Sequence, residues 1–258
     1  QLRWWKNTLM HLFIRHFRVD MSEAVQPDPV AYPDFNSFFT RALRDGVRPQ
    51  PDEPSAIACP VDGAISEMGR IRGGQLLQAK GRHYSLLDLL GGNRAQADEF
   101  QDGLFCTIYL SPRDYHRIHM PVEGSLRETT YIPGRLFSVA PHTTRAISGL
   151  FTRNERLVSM FDSGQARVGV ILVGAIFVAC METVWGGVAE PAGRDIEPRQ
   201  FGSGTGDSVD LKRGEEMGRF NMGSTVILLF PPGRAEWLQE LQAGQPVRLG
   251  QTLGYLID

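Results

Sequence analysis

Cysteine is scarce in this chain of 258 residues: only Cys59, Cys106 and Cys180, with no C-x-x-C spacing. That gives neither a metal knuckle nor a disulfide framework, and it fits a reducing compartment. Excess positive charge is lacking as well. The net charge of −2 argues against a general nucleic-acid binder, which shows a strongly basic balance. Long apolar runs are also missing. The longest, Val168 to Met181, is about fourteen residues against the roughly 20 that span a bilayer, and its Val, Ile and Phe content reads as buried strand. No signal-peptide pattern is present. The start at Gln1 rather than Met suggests a trimmed or processed product.

Acid is absent from residues 1–19, which hold Arg3, Lys6, Arg15 and Arg18. In the same stretch Leu2, Trp5, Leu9, Leu12, Phe13 and Phe17 recur at spacings of three and four, the period of a helix with one apolar face. Trp4, Met10 and Ile14 widen that face, and Arg3, Asn7, His11, Arg15 and Arg18 fall opposite. A terminal helix packed on the protein's own core would show a similar period. The adjacent tryptophans and uncompensated cations favour a helix lying in a membrane interface, with Trp4, Trp5, Leu9, Leu12, Phe13 and Phe17 as the contacts.

What remains is an ordinary globular composition, 42% hydrophobic and 22% charged, able to bury a sizeable core in one large domain or two small ones. Phe35 to Leu43 predicts a short helix before the proline-rich stretch Val47 to Ser55. From Ile57 onward, Val/Ile/Leu segments alternate with turn signals at Asp62-Gly63, Gly73-Gly74, Glu123-Gly124, Pro133-Gly134, Ser163-Gly164 and Gly186-Gly187. Helical interruptions are expected at Ser85 to Leu90 and Ala235 to Leu241, with a short turn around Pro112 to His116. The fold class is therefore α+β, mainly antiparallel β. Residues 1–50 form a helical, membrane-facing arm, and residues 51–258 form a β-rich catalytic domain.

Three stretches carry chemistry. Asp62-Gly63 reads first as a turn. Asp114 to Pro121 holds His116 and His119, three apart, with no cysteine or third histidine near enough for a convincing zinc site. Phe220 to Thr225 places Gly223-Ser224 at the mouth of the apolar strand Val226 to Phe230. A turn is the simplest reading there too. Yet glycine before serine leaves a carbonyl open to attack, and the serine hydroxyl reaches it through a five-membered ring. Serine needs a base, and Asp62, His119 and Ser224 would supply a triad if the fold gathers them.

Pro60 to Ser66 (PVDGAIS), Ser111 to Gly124 (SPRDYHRIHMPVEG) and Glu216 to Phe230 (EMGRFNMGSTVILLF) together resemble the bacterial phosphatidylserine decarboxylases. Similar texture in Leu76 to Leu90, Ile132 to Val139, Phe151 to Val158 and Ile171 to Val178 extends the likeness along the chain. Met222 stands where the family usually has leucine, a volume-conserving exchange. The resemblance implies self-cleavage between Gly223 and Ser224 by an N→O acyl shift and β-elimination, giving a β chain 1–223 and an α chain 224–258. Ser224 becomes a covalent pyruvoyl group that forms a Schiff base with the substrate amine, the task pyridoxal phosphate performs elsewhere.

By the same resemblance Asp62, His119 and Ser224 form the maturation relay, and His116 donates the proton in decarboxylation. No metal and no pyridoxal phosphate are expected. The implied partners are phosphatidylserine in an anionic membrane and the two product chains held together, with a homodimer as one option and no nucleic acid. The implied location is peripheral, on the cytoplasmic face of the inner membrane. Two rivals stay open: a Ser-His-Asp lipid hydrolase, against which the missing G-x-S-x-G elbow counts, and a non-enzymatic lipid-binding module. The glycine-rich C-terminus has the look of a lipoyl or biotin carrier, but no lysine follows Lys212.

Overall fold

A strand without polar alternation must be covered on both faces. Ser224–Phe230 is such a strand: every residue is buried, and it runs through the middle of the largest sheet. The computed structural model describes residues 3–176, 181–189, 196, 198–202, 207–221 and 224–257. Among them that sheet is antiparallel throughout, in the order 198–200, 124–132, 156–162, 167–173, 224–230, 104–110, 63–70 and 246–247, with 210–211 also pairing with 124–125.

Side chains of a strand alternate between faces, and here each face has its own core. Val226, Leu228 and Phe230 join Cys106, Ile108, Val170 and Leu172 on one side. Ile227 and Leu229 join Phe105, Ile171 and Val173 on the other. The first core also takes in Ile118, Met120, Met217 and Phe220. Ile118, Met217 and Phe220 belong to a smaller sheet in the order 187–188, 181–183, 216–220 and 117–119, and Met120 directly follows its last strand. Cys59 and Cys106 are buried free thiols, and Cys180 lies outside the described residues.

Two expectations change. Ala235 to Leu241 is not a helix: Ala235–Trp237 is a strand paired with Gly254 to Leu256, and Trp237 sets its ring edge against Phe230. Pairing with a distant edge overrides the local pattern. Asp62-Gly63 is not a hairpin tip either. Gly63 opens a strand that lies so close to its neighbour that a Cβ there would meet the Tyr109 carbonyl at 2.4 Å. Helices also form at Arg94–Phe100, capped by Asn93, and at Pro141–Ala146 and Leu150–Arg153, where none was expected.

The N-terminal helix α1, Arg3–Phe17, and the short helix α2, Phe35–Phe39, match the sequence reading. Asp34 caps α2 by accepting from Ser37 N at 2.7 Å. In α1 the apolar residues divide. Met10 is fully buried, and Phe13, Ile14 and Phe17 pack with it against Tyr32, Phe35 and Phe38. Trp4, Trp5, Leu9 and Leu12 are each at least half exposed. Lys6 turns inward to the carbonyls of Val30 and Tyr32. Among the described residues no helix is long and apolar enough to cross a membrane.

Candidate active site

The strand Leu104–Leu110 ends opposite Ser224, in register with Leu110, and the chain then turns towards both histidines. The turn is fixed by Asp114, whose Oδ2 accepts from Ser111 N and Oγ, both at 2.7 Å. Beyond it, Arg117–His119 pairs with Glu216–Phe220, the strand that precedes Ser224 in sequence. His119 N donates to Pro60 O at 2.9 Å, which draws the loop carrying Asp62 alongside. Strand alternation turns Ser224 to the face of Val226 and Leu228, the same face against which Ile118 and Phe220 pack. Gly223 and Met222 lie outside the described residues.

His119 has a defined tautomer. Its Nδ1 is 2.8 Å from Gly214 O, and a carbonyl only accepts, so Nδ1 carries the hydrogen. The neutral ring then presents the Nε2 lone pair, which receives the Tyr115 hydroxyl at 3.1 Å. Burial holds the His119 pKa below its ordinary value, opposed by the Gly214 carbonyl and the negative charges of Glu216 and Asp62. Burial likewise pushes the Tyr115 phenol up.

Asp62 makes no hydrogen bond to His119 among the described residues. Arg48 grips it with two nitrogens, Nε at 2.9 Å from Oδ1 and Nη2 at 2.6 Å from Oδ2, and Leu249 N donates to Oδ1 at 2.8 Å. The ring orientation that a triad carboxylate would provide is supplied by Gly214 O, while Asp62 acts on His119 through space.

His116 and Ser224 are both fully buried. His116 Nδ1 donates to Asp114 O at 2.8 Å, leaving Nε2 as an unprotonated acceptor with no partner among the described residues. Burial, assisted by the Arg41 charge and opposed by the Asp114 carbonyl, pushes its pKa down to about 3, so the ring is neutral. Ser224 Oγ is likewise sealed without a described partner. A hydroxyl left so costs on the order of 1–3 kcal/mol, a cost that reactive groups often carry.

Segment 36–41 straps these pieces together. Asn36 Nδ2 donates to Asn221 Oδ1 at 3.1 Å, the Phe39 ring lies 4.0 Å from that of His116, and Thr40 O accepts from Arg117 Nε at 2.9 Å. The strap also meets α1, with Phe13 5.0 Å from Phe35 and 6.1 Å from Phe39. Next to it opens a cavity of about 350 Å³ whose walls include Arg41, Arg48, Asp62, Arg113 and Tyr115. Among the described residues no three His, Cys, Asp or Glu side chains gather as metal ligands would.

Arg48, Tyr115, Phe39 and the Gly214 carbonyl play parts that the sequence did not assign. Tyr115 sits inside the histidine motif, and Phe39 in an aromatic cluster. Arg48, in a proline-rich stretch, carries no such signal.

The model of the family described as phosphatidylserine decarboxylase matches residues 35–255. Three bacterial proteins named phosphatidylserine decarboxylase proenzyme are similar over nearly the full chain. That from Nitrosococcus oceani is 52% identical, covering 98% of this chain and 83% of its own. That from Pseudomonas fluorescens is 50% identical, covering 98% and 88%. That from Bordetella pertussis is 50% identical, covering 96% and 84%.

Proposed function

Since the chain belongs to the phosphatidylserine decarboxylase family, we propose that it cuts itself between Gly223 and Ser224 and then removes CO₂ from phosphatidylserine to give phosphatidylethanolamine. The observation that carries this reading is Ser224: a sealed hydroxyl, without a described partner, at the head of the central strand. A hydrolase serine has to meet substrate from outside, whereas a self-attacking serine needs only its own preceding carbonyl. Complete burial favours the second.

In that reaction a base takes the Ser224 proton and Oγ adds to the residue 223 carbonyl, exchanging the peptide bond for an ester. β-Elimination releases residue 223 as a carboxylate and leaves an enamine, which water converts to a pyruvoyl group with loss of ammonia. His119 suits the role of base: its Nε2 lone pair is fixed by the Gly214 carbonyl at Nδ1, and Asp62 favours its cation. The pyruvoyl group supplies a carbonyl for the substrate amine and an electron sink for the carbon that loses CO₂. His116 fits the family's proton donor to that carbon: its Nε2 has no described partner, and the burial that depresses its pKa makes a proton carried there readily given up.

The chains 1–223 and 224–258 are expected to stay together, because the central strand is paired on both sides with strands of the larger piece. Peripheral attachment through α1 brings the site to a lipid that stays in the bilayer. The arm of residues 1–50 then contributes to catalysis as well, since α2 covers His116.

Intact mass after denaturation tests the reading. Two fragments with a pyruvoyl on the smaller are expected, and a single chain of 28.7 kDa that never matures would overturn it. Ser224→Ala and His119→Ala should remain uncut and inactive, and His116→Ala should be cut yet release no CO₂.

A further inference from the structure

The cavity beside Asp62 and Tyr115 holds more arginine than acid, and its acids are nearly all matched. Glu23 takes Arg48 at 2.6 Å and Arg248 at 3.3 Å, Asp62 takes Arg48 at 2.6 Å, and Arg113 lies 3.7 Å from Asp114. Asp20 binds Ser22. Arg41 is different. It is only 4% exposed, yet no carboxylate lies within ion-pair distance among the described residues. Its Nη2 donates to Arg113 O at 3.1 Å, its Nε is sealed without a partner, and the Phe38 ring lies 5.8 Å from its Cζ. Asp62, Asp114 and Asp20 favour its charge only from a distance, and a buried guanidinium without a directly paired anion is costly unless a ligand completes it.

We propose that Arg41 anchors the phosphodiester of the lipid substrate in this cavity. The inference rests on the decarboxylase reading above and adds a headgroup-binding residue to it. A guanidinium fork matches two phosphate oxygens, a geometry that a lysine point charge lacks. The substrate's other anion, its carboxylate, is the wrong guest. Pairing it with Arg41 would stabilise the charge that has to disappear as CO₂ leaves, and so oppose the reaction. Position agrees with this assignment. Arg41 lies two residues after Phe39, whose ring sits 4.0 Å from that of His116, and it shares the cavity with Tyr115, which bonds His119. A phosphate held there leaves the amino-acid end of the headgroup free to reach the histidines.

The test uses the full, self-cleaved enzyme in micelles with two substrates, dihexanoyl-phosphatidylserine and O-hexylserine. Both carry the amine and carboxylate, and only the first has a phosphodiester. Arg41→Gln is expected to lower kcat/KM for the phospholipid by about 10- to 100-fold, chiefly through KM, and to leave O-hexylserine turnover within about twofold. Arg41→Lys should recover part of the loss. Inhibition by glycerophosphoethanolamine should weaken in parallel in Arg41→Gln. If inorganic phosphate alone inhibits as strongly as glycerophosphoethanolamine, the site belongs to free phosphate and the lipid assignment is wrong. An equal fall for both substrates, or unchanged inhibition, overturns the proposal and leaves Arg41 as packing. Maturation is read by intact mass on each sample. Should Arg41→Gln stay uncut, the same comparison is made with Arg41→Lys, for which an unchanged KM for the phospholipid overturns the proposal. A wild-type enzyme that decarboxylates neither substrate removes the parent reading instead.

Discussion

Arg48 holds Asp62 in a two-nitrogen grip, at 2.9 and 2.6 Å, and shares its Nη2 with Glu23. Only 7% of the Arg48 side chain and 13% of the Asp62 side chain are exposed, so the pair is largely shielded from water. The carboxylate therefore reaches His119 as a charge at a distance, placed there by an arginine.

Removing the clamp is expected to harm maturation before anything else. Arg48→Met leaves the largely buried Asp62 without its cation, while Glu23 keeps Arg248 at 3.3 Å, and the loss is expected to cost up to about 3 kcal/mol of stability. Arg48→Lys keeps the charge but loses the fork, and its self-cleavage should slow while folding survives. The measurement is the fraction of cut chain against time by intact mass, alongside urea denaturation. Cleavage at the wild-type rate in a folded Arg48→Lys would show that the grip has no part in the reaction.

The Phe39 ring, 4.0 Å from His116, is part of what keeps that imidazole dry. Phe39→Leu keeps an apolar cover but opens an edge to water. Because burial is the largest cause of the depressed His116 pKa, the value should climb from about 3 towards 6.5. NMR titration of the ring reads this directly. An unchanged pKa would mean that other walls do the sealing.

Stability should also follow the histidines. His116 is neutral when folded and titrates near 6.5 when unfolded, so the unfolded chain binds the extra proton as pH falls. Stability is therefore fully present above about pH 6.5 and is lost below it. By pH 5, His116 alone should have removed about 2 kcal/mol, at 1.36 kcal/mol per unit. The lowered pKa of His119 acts in the same direction. Denaturation midpoints at pH 7.5 and pH 5 should differ accordingly, and His116→Gln should flatten the dependence. A wild-type midpoint independent of pH would contradict it.

How far the sequence revealed this arrangement depended on the range of each interaction. The β rhythm and the apolar run Val226 to Phe230 are local patterns, and both correspond to observed strands. His116 and His119 stand out by spacing, and their shared segment does bring both beside Glu216–Phe220. The grip of Arg48 on Asp62 arises only when the chain folds back across a proline-rich stretch, which no periodicity encodes. The strand Ala235–Trp237 was hidden for the same reason: its partner, Gly254 to Leu256, lies outside any local window. Phe13 and Phe17 shared the apolar period of α1 with Leu9 and Leu12. A period alone does not say which apolar side chains meet Tyr32 and Phe38 and which meet solvent.

That division of α1 separates membrane contact from folding. Trp4 and Trp5 stack on each other at 4.4 Å and stay about half exposed, with Leu9 and Leu12 on the outside with them. Phe13, by contrast, touches Phe17, Phe35, Phe38 and Phe39. Replacing both Trp4 and Trp5 with alanine should weaken binding to vesicles of phosphatidylserine and phosphatidylcholine by tenfold or more, because interfacial rings are lost. The melting temperature should barely move, since neither ring fills the core. Phe13→Ala should do the reverse, lowering stability by about 3 kcal/mol or less for a half-buried ring while the outer residues still face the lipid. Co-sedimentation with vesicles and thermal denaturation, measured on the same samples, distinguish the two effects. If the double tryptophan variant binds as tightly as the parent, the outward face of α1 is not the membrane contact, and the cations Arg15 and Arg18 become the residues to change next.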